Sequence, residues 1–269
     1  MWHILIRAKL IKMMLVGCIA LGVMAYPYLA ELVSTEAPQG RIALIIDDFG
    51  NHADGTKAMM ALGIPLATAV MPFLPYTEEE ARMIHDAGLE VLMHIPMEPE
   101  HGDPHWLGAR GITTDLSNAE IEDRIREGLA QMPQAVGLNN HMGSRATQDR
   151  RVMRAVLQVA AQQNLFFIDS KTTPHSVVGE VADEMGVPHL VRDVFLDGIQ
   201  DRAHIEAQLE KLGDIALEKG YAVGIGHVGI EGGTVTADAL GAMIPVLKER
   251  GIEFVFPSQL IRDGPTPPR

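Results

Sequence analysis

Short apolar runs alternate with longer amphipathic segments along most of the chain. Eight of these runs predict β-strands, and they lie at residues 41–46, 64–71, 89–95, 135–141, 165–169, 189–193, 221–227 and 252–256. Helical patterns fill most of the intervals between them. Because apolar strands that alternate with helices form parallel sheets, the pattern predicts an α/β fold: a closed or nearly closed (β/α) barrel of seven or eight mostly parallel strands.

Two of the predicted helices carry a capping-box signature at their first turn. Thr77 stands three positions before Glu80, and Ser117 stands three positions before Glu120. In such a box the hydroxyl and the carboxylate each satisfy a main-chain amide at the start of the helix. We therefore expect helices to begin after Thr77 and after Ser117.

The first 30 residues differ in composition from the rest of the chain. Three basic residues and no acid are followed by an apolar run from Met13 to Ala30, which Pro27 interrupts. This order predicts a signal peptide or an N-terminal membrane anchor over residues 1–30, and the length of the run leaves both open. The expected location is periplasmic or extracellular, with attachment to the inner membrane if the segment is retained. The remaining chain divides into a predicted linker at 31–40, one domain at 41–262 and a disordered tail at 263–269.

Charge and cysteine content exclude several classes of function. The net charge of −13 becomes −16 when the three basic residues of the first segment are left out. A nucleic acid is an unsuitable partner for so acidic a domain, and contact with a membrane is expected only through residues 1–30. Cys18 is the only cysteine, so thiol catalysis and thiolate metal sites are excluded from the predicted domain.

Polar side chains stand where the predicted strands end. These positions are Asp47 and Asp48, His94, Asn139 to His141, Asp169, Asp193 and His227. Each alone has an ordinary explanation as a helix cap or a structural histidine, but the carboxyl ends of parallel barrel strands meet on one face. Carboxylates and imidazoles without a thiol suit a divalent metal, with zinc as the first candidate.

Five stretches together resemble the divergent branch of the polysaccharide deacetylase family, whose relatives are metal-dependent carbohydrate N-deacetylases. They are IIDDFG at 45–50, MHIPMEP at 93–99, NNHMGSRAT at 139–147, FFIDSKT at 166–172 and GIGHVG at 224–229. The resemblance runs from about Arg41 to Ile261. It implies a distorted (β/α) barrel and an N- or O-acetylated glycan as the substrate class.

The resemblance also implies roles for individual residues. Asp47 would be the base, Asp48 a metal ligand and His227 the acid. The better-known members have a second histidine ligand four positions after the first, where this chain has Glu98 after His94. Either Glu98 or His141 is then the third ligand. We favour His141, because it ends the neighbouring strand and supplies a neutral imidazole.

Other residues near these motifs receive weaker assignments. Main-chain amides near Phe49 or Gly50 are expected to hold the oxyanion together with the metal. Asn140 and Arg145 are predicted to hold sugar hydroxyls, or else to rigidify the turn that follows. Asp169 is predicted to orient a reacting group, with helix capping as the alternative.

The resulting prediction is an exported metal-dependent hydrolase that removes acetyl groups from a cell-envelope or extracellular glycan. The altered second motif keeps a different class open, namely a periplasmic glycan-binding or regulatory protein without turnover. A third hypothesis is a barrel metallohydrolase that acts on an amide or ester that is not a glycan.

Overall fold

The computed structural model describes residues 38–108 and 110–264. The predicted signal peptide or anchor, residues 31–37 of the predicted linker and residues 265–269 of the predicted tail lie outside the described residues. Among the helices of the described part, none is long and apolar enough to cross a membrane.

The described part of the chain contains nine strands and eight helices, which alternate except that β7 follows β6 directly. The strands are β1 (Gly40–Phe49), β2 (Ala67–Val70), β3 (Glu90–Met97), β4 (Gly137–Met142), β5 (Phe166–Asp169), β6 (His189–Val191), β7 (Val194–Phe195), β8 (Tyr221–His227) and β9 (Ile252–Phe254). The helices are α1 (Thr56–Met60), α2 (Thr77–Asp86), α3 (Asn118–Gln131), α4 (Arg150–Gln163), α5 (Val178–Met185), α6 (Arg202–Lys219), α7 (Gly233–Glu249) and α8 (Pro257–Asp263). Short 3-10 helices lie at Pro104–Leu107 and Ala146–Gln148.

The strands form one parallel sheet in the order β6-β5-β4-β3-β2-β1-β8-β7, and β9 pairs with the beginning of β1. This curled half-barrel, with helices covering it, confirms the predicted distorted (β/α) barrel. All eight predicted strands are present, whereas β7 was not predicted. All the strands run in the same direction. The carboxyl ends of β1, β3, β4 and β8 therefore meet at one edge of the barrel.

Burial explains why β1 is an almost uninterrupted apolar run. Nine of its ten residues are buried, because the strand has the barrel interior on one face and the helical layer on the other. Ile42, Leu44 and Ile46 pack in the larger cluster, and Ala43 and Ile45 pack in the smaller one. A strand so fixed provides a rigid support for the residues at its end.

One of the two predicted capping boxes is confirmed and the other is wrong. Ser117 and Glu120 form the box at the start of α3. At α2, the Thr77 hydroxyl instead donates to the main-chain oxygen of Met71 at 2.7 Å. Glu80 is fully buried and turns away from the helix start toward the loop that follows β1. Thr77 and Glu80 have the spacing of a capping box, but the Glu80 carboxylate binds the Gly50 amide instead of the start of its own helix.

Candidate active site

The end of β1 is irregular, and the irregularity separates two neighbouring carboxylates. The register against β2 shifts between Ile46 and Phe49, and Asp48 has a left-handed backbone conformation with φ 71°. A bulge of this kind redirects the side chains around it. Asp47 is buried, whereas the Asp48 side chain keeps 23% of its surface exposed. Adjacent residues therefore meet different environments.

Asn139 connects Asp47 to His94 by hydrogen bonds, and all three side chains are buried. Asn139 Nδ2 donates to Asp47 Oδ1 at 2.8 Å, and His94 Nδ1 lies 2.8 Å from Asn139 Oδ1. The register of β3 against β4 places His94 directly beside Asn139. Because an amide oxygen only accepts, His94 donates from Nδ1 and presents the lone pair of Nε2 to the site.

The ligand-type atoms of Asp48, His94 and His141 lie within 4.8 Å of one another. His141 Nδ1 is 3.1 Å from Asp48 Oδ1, and His94 Nε2 is 3.3 Å from the same oxygen. That oxygen is buried without a hydrogen-bond partner. An unpaired buried carboxylate oxygen is costly, and two imidazoles with one carboxylate suit a divalent cation. These residues therefore fit the predicted metal centre.

Burial and charge move the pKa values of the two carboxyls in opposite directions. Burial raises the pKa of Asp47, and the nearby His94 and His227 only partly offset this effect. Burial also opposes ionisation of Asp48, but the close approach and charge of His141 and His94 hold its pKa well below the usual range. Asp48 is thus ionised, as a metal ligand must be, and Asp47 is the more basic carboxylate.

His227, the last residue of β8, is held in place by Asp197. Its Nδ1 lies 2.8 Å from Asp197 Oδ1, and its main-chain amide donates to Asp197 Oδ2 at 2.7 Å. The hydroxyl of Thr236 donates to that second oxygen at 2.9 Å. Burial lowers the pKa of His227, but the hydrogen bond to Asp197 and the charge of Asp47 outweigh it and raise the pKa to about 9. The imidazole is therefore protonated at neutral pH.

Glu98 follows β3 and Arg145 follows β4, and these two side chains contact each other and the loop at Thr114. Glu98 Oε2 accepts hydrogen bonds from the amide and the hydroxyl of Thr114, at 2.6 and 2.7 Å. Its other oxygen lies 3.4 Å from Arg145 Nη1. Within the described residues, Glu98 belongs to no group of potential metal ligands. Arg145 is 54% exposed, and its binding of sugar hydroxyls stays a prediction.

Asn140 and Asp169 bind main-chain groups at the ends of β4 and β5. Asn140 Nδ2 donates to the Met142 oxygen at 2.7 Å, and Asn140 Oδ1 accepts from the Ser170 amide at 3.0 Å. Asp169 accepts from the Lys171 amide at 2.7 Å. These contacts agree with the alternative that Asn140 rigidifies the turn. Substrate-binding roles for Asn140 and Asp169 stay predictions.

Two groups expected at the site are used elsewhere. Asp193 precedes β7 instead of ending a strand at the site, and it binds the Val223 amide at 2.8 Å and Lys219 Nζ at 3.0 Å near the start of β8. The Gly50 amide donates to Glu80 Oε2 at 2.5 Å. It is therefore not free to hold an oxyanion.

The sequence prediction misses Asp197, although a signal for it exists. The apolar run at 194–196 ends in Asp197, just as the run of β1 ends in Asp47. The prediction places a strand at 189–193 and contains no β7, so the strand-end position of Asp197 goes unrecognised. Glu231, whose carboxylate lies 3.7 Å from His227 Nε2, is also missed because it follows the strand end by four residues.

A curled parallel barrel that gathers Asp and His side chains at its carboxyl edge is the architecture of the deacetylase-like barrels. The sequence model of the divergent polysaccharide deacetylase family matches residues 44–261, and the chain belongs to this family.

The similar proteins are consistent with this assignment. The uncharacterized protein YibQ of Escherichia coli strain K12 is 36% identical to this chain over 200 residues. The matched region covers 74% of this chain and 62% of YibQ, so the chain spans less than two thirds of the length of that relative. The crystal structure of the uncharacterized protein ATU2773 from Agrobacterium tumefaciens C58 has a TM-score of 0.77 and 23% identity, over 84% of this chain and 91% of that one. Bacillus subtilis PdaA, a family 4 carbohydrate esterase, has a TM-score of 0.50 and 13% identity, over 86% and 83%. Both solved structures share the fold.

Proposed function

We propose that the protein is an exported, metal-dependent hydrolase that removes acetyl groups from a glycan of the cell envelope or cell exterior. The observation that carries the proposal is the register of β1 against β8, which pairs Asp47 with His227 beside the cluster of potential cation ligands. Membership of a polysaccharide deacetylase family supports an acetylated glycan as the substrate class.

Asp48, His94 and His141 would hold the cation. Zinc is the first candidate, because the donors are two nitrogens and a carboxylate. When bound, the cation supplies Lewis acidity that polarises an acetyl carbonyl and makes water more acidic. Three protein ligands leave coordination positions open, which is the usual arrangement in a catalytic site.

Asp47 is the proposed general base. Its carboxylate lies 3.7 Å from His94 Nε2 and is bonded to Asn139, so it is held beside the donor cluster without belonging to it. Burial raises its pKa, and a carboxylate with a raised pKa is a stronger proton acceptor. Asp47 accepts the proton of the water that attacks the acetyl carbon.

His227 is the proposed general acid. Asp197 binds its Nδ1, so Nε2 is the nitrogen available to the substrate. The raised pKa keeps the ring protonated at neutral pH, as an acid must be before the carbon–nitrogen or carbon–oxygen bond breaks. His227 donates this proton to the leaving amine or alcohol.

Features outside the cluster support a glycan substrate and export. Trp106 is 59% exposed on the connection that follows β3, where its ring is available for stacking on a sugar. The basic start and the apolar run of residues 1–30 support export.

Acetate release tests the proposal. Metal-free and zinc-reconstituted protein would be incubated with acetylated chitooligosaccharides and with peptidoglycan fragments, and the metal content of each preparation would be measured. Release that requires zinc and is lost in Asp47→Asn supports a hydrolase. Absence of release from every substrate by the zinc-loaded protein contradicts it.

A second candidate is a glycan-binding or envelope regulatory protein without turnover. The observation that favours it is the bond from the Gly50 amide to Glu80, which removes one expected oxyanion donor. Binding of the same fragments without acetate release would support this candidate. Release of a carboxylic acid only from amides or esters that are not glycans would support the third hypothesis, a barrel metallohydrolase with a different substrate.

A further inference from the structure

A second group of potential ligands shares Asp48 with the first. Asp48, His227 and Glu231 each place one ligand-type atom within 4.8 Å of the other two. Glu231 lies on the connection between β8 and α7, and its side chain is 55% exposed. The proposed reaction assigns no role to Glu231, so the presence of its carboxylate next to the acid requires a separate explanation.

His227 is arranged to act as a ligand as well as an acid. The bond from Nδ1 to Asp197 places the proton of the neutral ring on Nδ1 and leaves a lone pair on Nε2. A carboxylate bound to the far nitrogen is the usual support of a metal-binding histidine. Nε2 lies 3.7 Å from Glu231 Oε2, which is too long for a hydrogen bond and compatible with two ligands of one cation.

Asp48 has the chemistry needed to serve both groups. Its Oδ1 lies close to His94 and His141 and has no hydrogen-bond partner. A carboxylate has two oxygens, and cations about 3.5 to 4 Å apart in two-metal sites commonly share such a ligand. A cation between His227 and Glu231 can therefore bind while the first site is filled.

We propose that Asp48, His227 and Glu231 form a second divalent-cation site, and that a cation bound there inhibits the hydrolase. Inhibition follows because the cation displaces the Nε2 proton of His227 to solvent and occupies the nitrogen that otherwise delivers that proton to the leaving group. The second cation binds more weakly than the first, since the two repel each other and Glu231 is largely in solvent. The inhibition rests on the proposed function, but the binding does not.

Zinc titration by calorimetry tests the site without any turnover. The full-length chain would be used without a histidine tag and freed of metal with a chelator. We expect two binding events in the wild type. In Glu231→Gln the tighter event should remain and the weaker one should lose at least about 10-fold in affinity, as expected for loss of a ligand.

Glu79→Gln is the matched control. Glu79 is also an exposed carboxylate near a histidine, 3.5 Å from His52 Nε2, but it belongs to neither group of potential ligands. The control should keep both binding events. A single event in the wild type up to millimolar zinc, or two unchanged events in Glu231→Gln, overturns the proposal.

Acetate release measured along the same titration tests the inhibition separately. Activity should rise with the first equivalent and fall with the second, and the fall should move to higher zinc in Glu231→Gln. If the second binding event depends on Glu231 but acetate release does not fall as that site fills, the proposed inhibition is refuted. If two events are seen and no acetate is released at any zinc concentration, the second site stands and the proposed function fails.

Discussion

Asn139 Oδ1 lies 2.8 Å from His94 Nδ1, so an asparagine from β4 fixes the orientation of a histidine on β3. The other end of the same amide binds Asp47. One side chain thus sets the tautomer of a potential ligand and the position of the proposed base. Neither bond involves a cation, since Asn139 binds Asp47 through Nδ2 and His94 through Oδ1.

Replacement of Asn139 should therefore weaken metal binding although Asn139 is not a ligand. We expect Asn139→Leu to lower zinc affinity by about 10-fold to 100-fold, the usual cost of losing a partner that supports a ligand. Competition with a chromophoric chelator measures this affinity. Asn118→Leu, at an exposed asparagine, is the control and should bind zinc normally. Unchanged affinity in Asn139→Leu would show that His94 needs no such support.

The third ligand can be identified by comparing two variants. His141→Ala should lower metal affinity at least about 10-fold, whereas Glu98→Gln should lower it less, because Glu98 already binds Thr114. The measurement is zinc titration of both proteins under the same conditions. Normal binding by His141→Ala together with loss in Glu98→Gln would make our assignment wrong.

The neighbouring carboxylates should separate metal binding from catalysis. Asp48→Asn should be purified without metal. Asp47→Asn should retain metal and lose about 10²-fold to 10⁴-fold in rate, the usual contribution of a general base. His227→Ala should behave like Asp47→Asn. Metal analysis and acetate release on the same preparations check all three, and an active Asp47→Asn enzyme would remove the base from the mechanism.

The pKa of His227 should depend on Asp197. NMR titration of the metal-free protein should give a value of about 9, and Asp197→Asn should lower it because the hydrogen bond and the charge that raise it are lost. The signal is assigned by its absence in His227→Gln. Thr236→Val, which removes only a donor to Asp197, should have a smaller effect. An unchanged pKa in Asp197→Asn contradicts the assigned cause.

The same pKa has a defined effect on stability. A histidine whose pKa rises on folding from 6.5 to about 9 binds its proton more tightly in the folded state. Its contribution is therefore complete below about pH 6.5 and is lost as the pH rises through about 9. In the metal-free protein, the difference in unfolding free energy between the wild type and Asp197→Asn should shrink over this interval.

Export can be tested with a reporter fused after Gly40. We expect reporter activity outside the cytoplasm, because the basic and apolar residues that precede this point have the composition of an export signal. The control fusion lacks residues 1–30 and should stay in the cytoplasm. A complete fusion that is active only in the cytoplasm would refute export.

Sequence periodicity was sufficient for the barrel because each long strand is a local feature. The apolar run of β1 and the polar pair that follows it are visible without any partner. The two-residue strand β7 is too short to show a hydrophobic period, and Asp197 was therefore not predicted as a strand-end residue.

Long-range contacts account for the other errors. Glu80 has the spacing of a helix cap from Thr77, but its carboxylate binds amides 28 and 30 positions away. Asn139 is visible as a strand-end residue, yet only the register of β3 against β4 shows that it faces His94. A pattern along one segment does not show which neighbour will take a hydrogen bond.

The buried carboxylate of Glu80 has a consequence for the dynamics of the loop after β1. It accepts from the amides of Gly50 and His52, and it also lies 2.9 Å from His52 Nδ1. The amide of the buried Gly50 can exchange with solvent only after its hydrogen bond to Glu80 opens, so its exchange should be slow. Glu80 therefore orders the start of this loop on folding, and a cation or substrate that binds next to it has a smaller ordering cost to overcome.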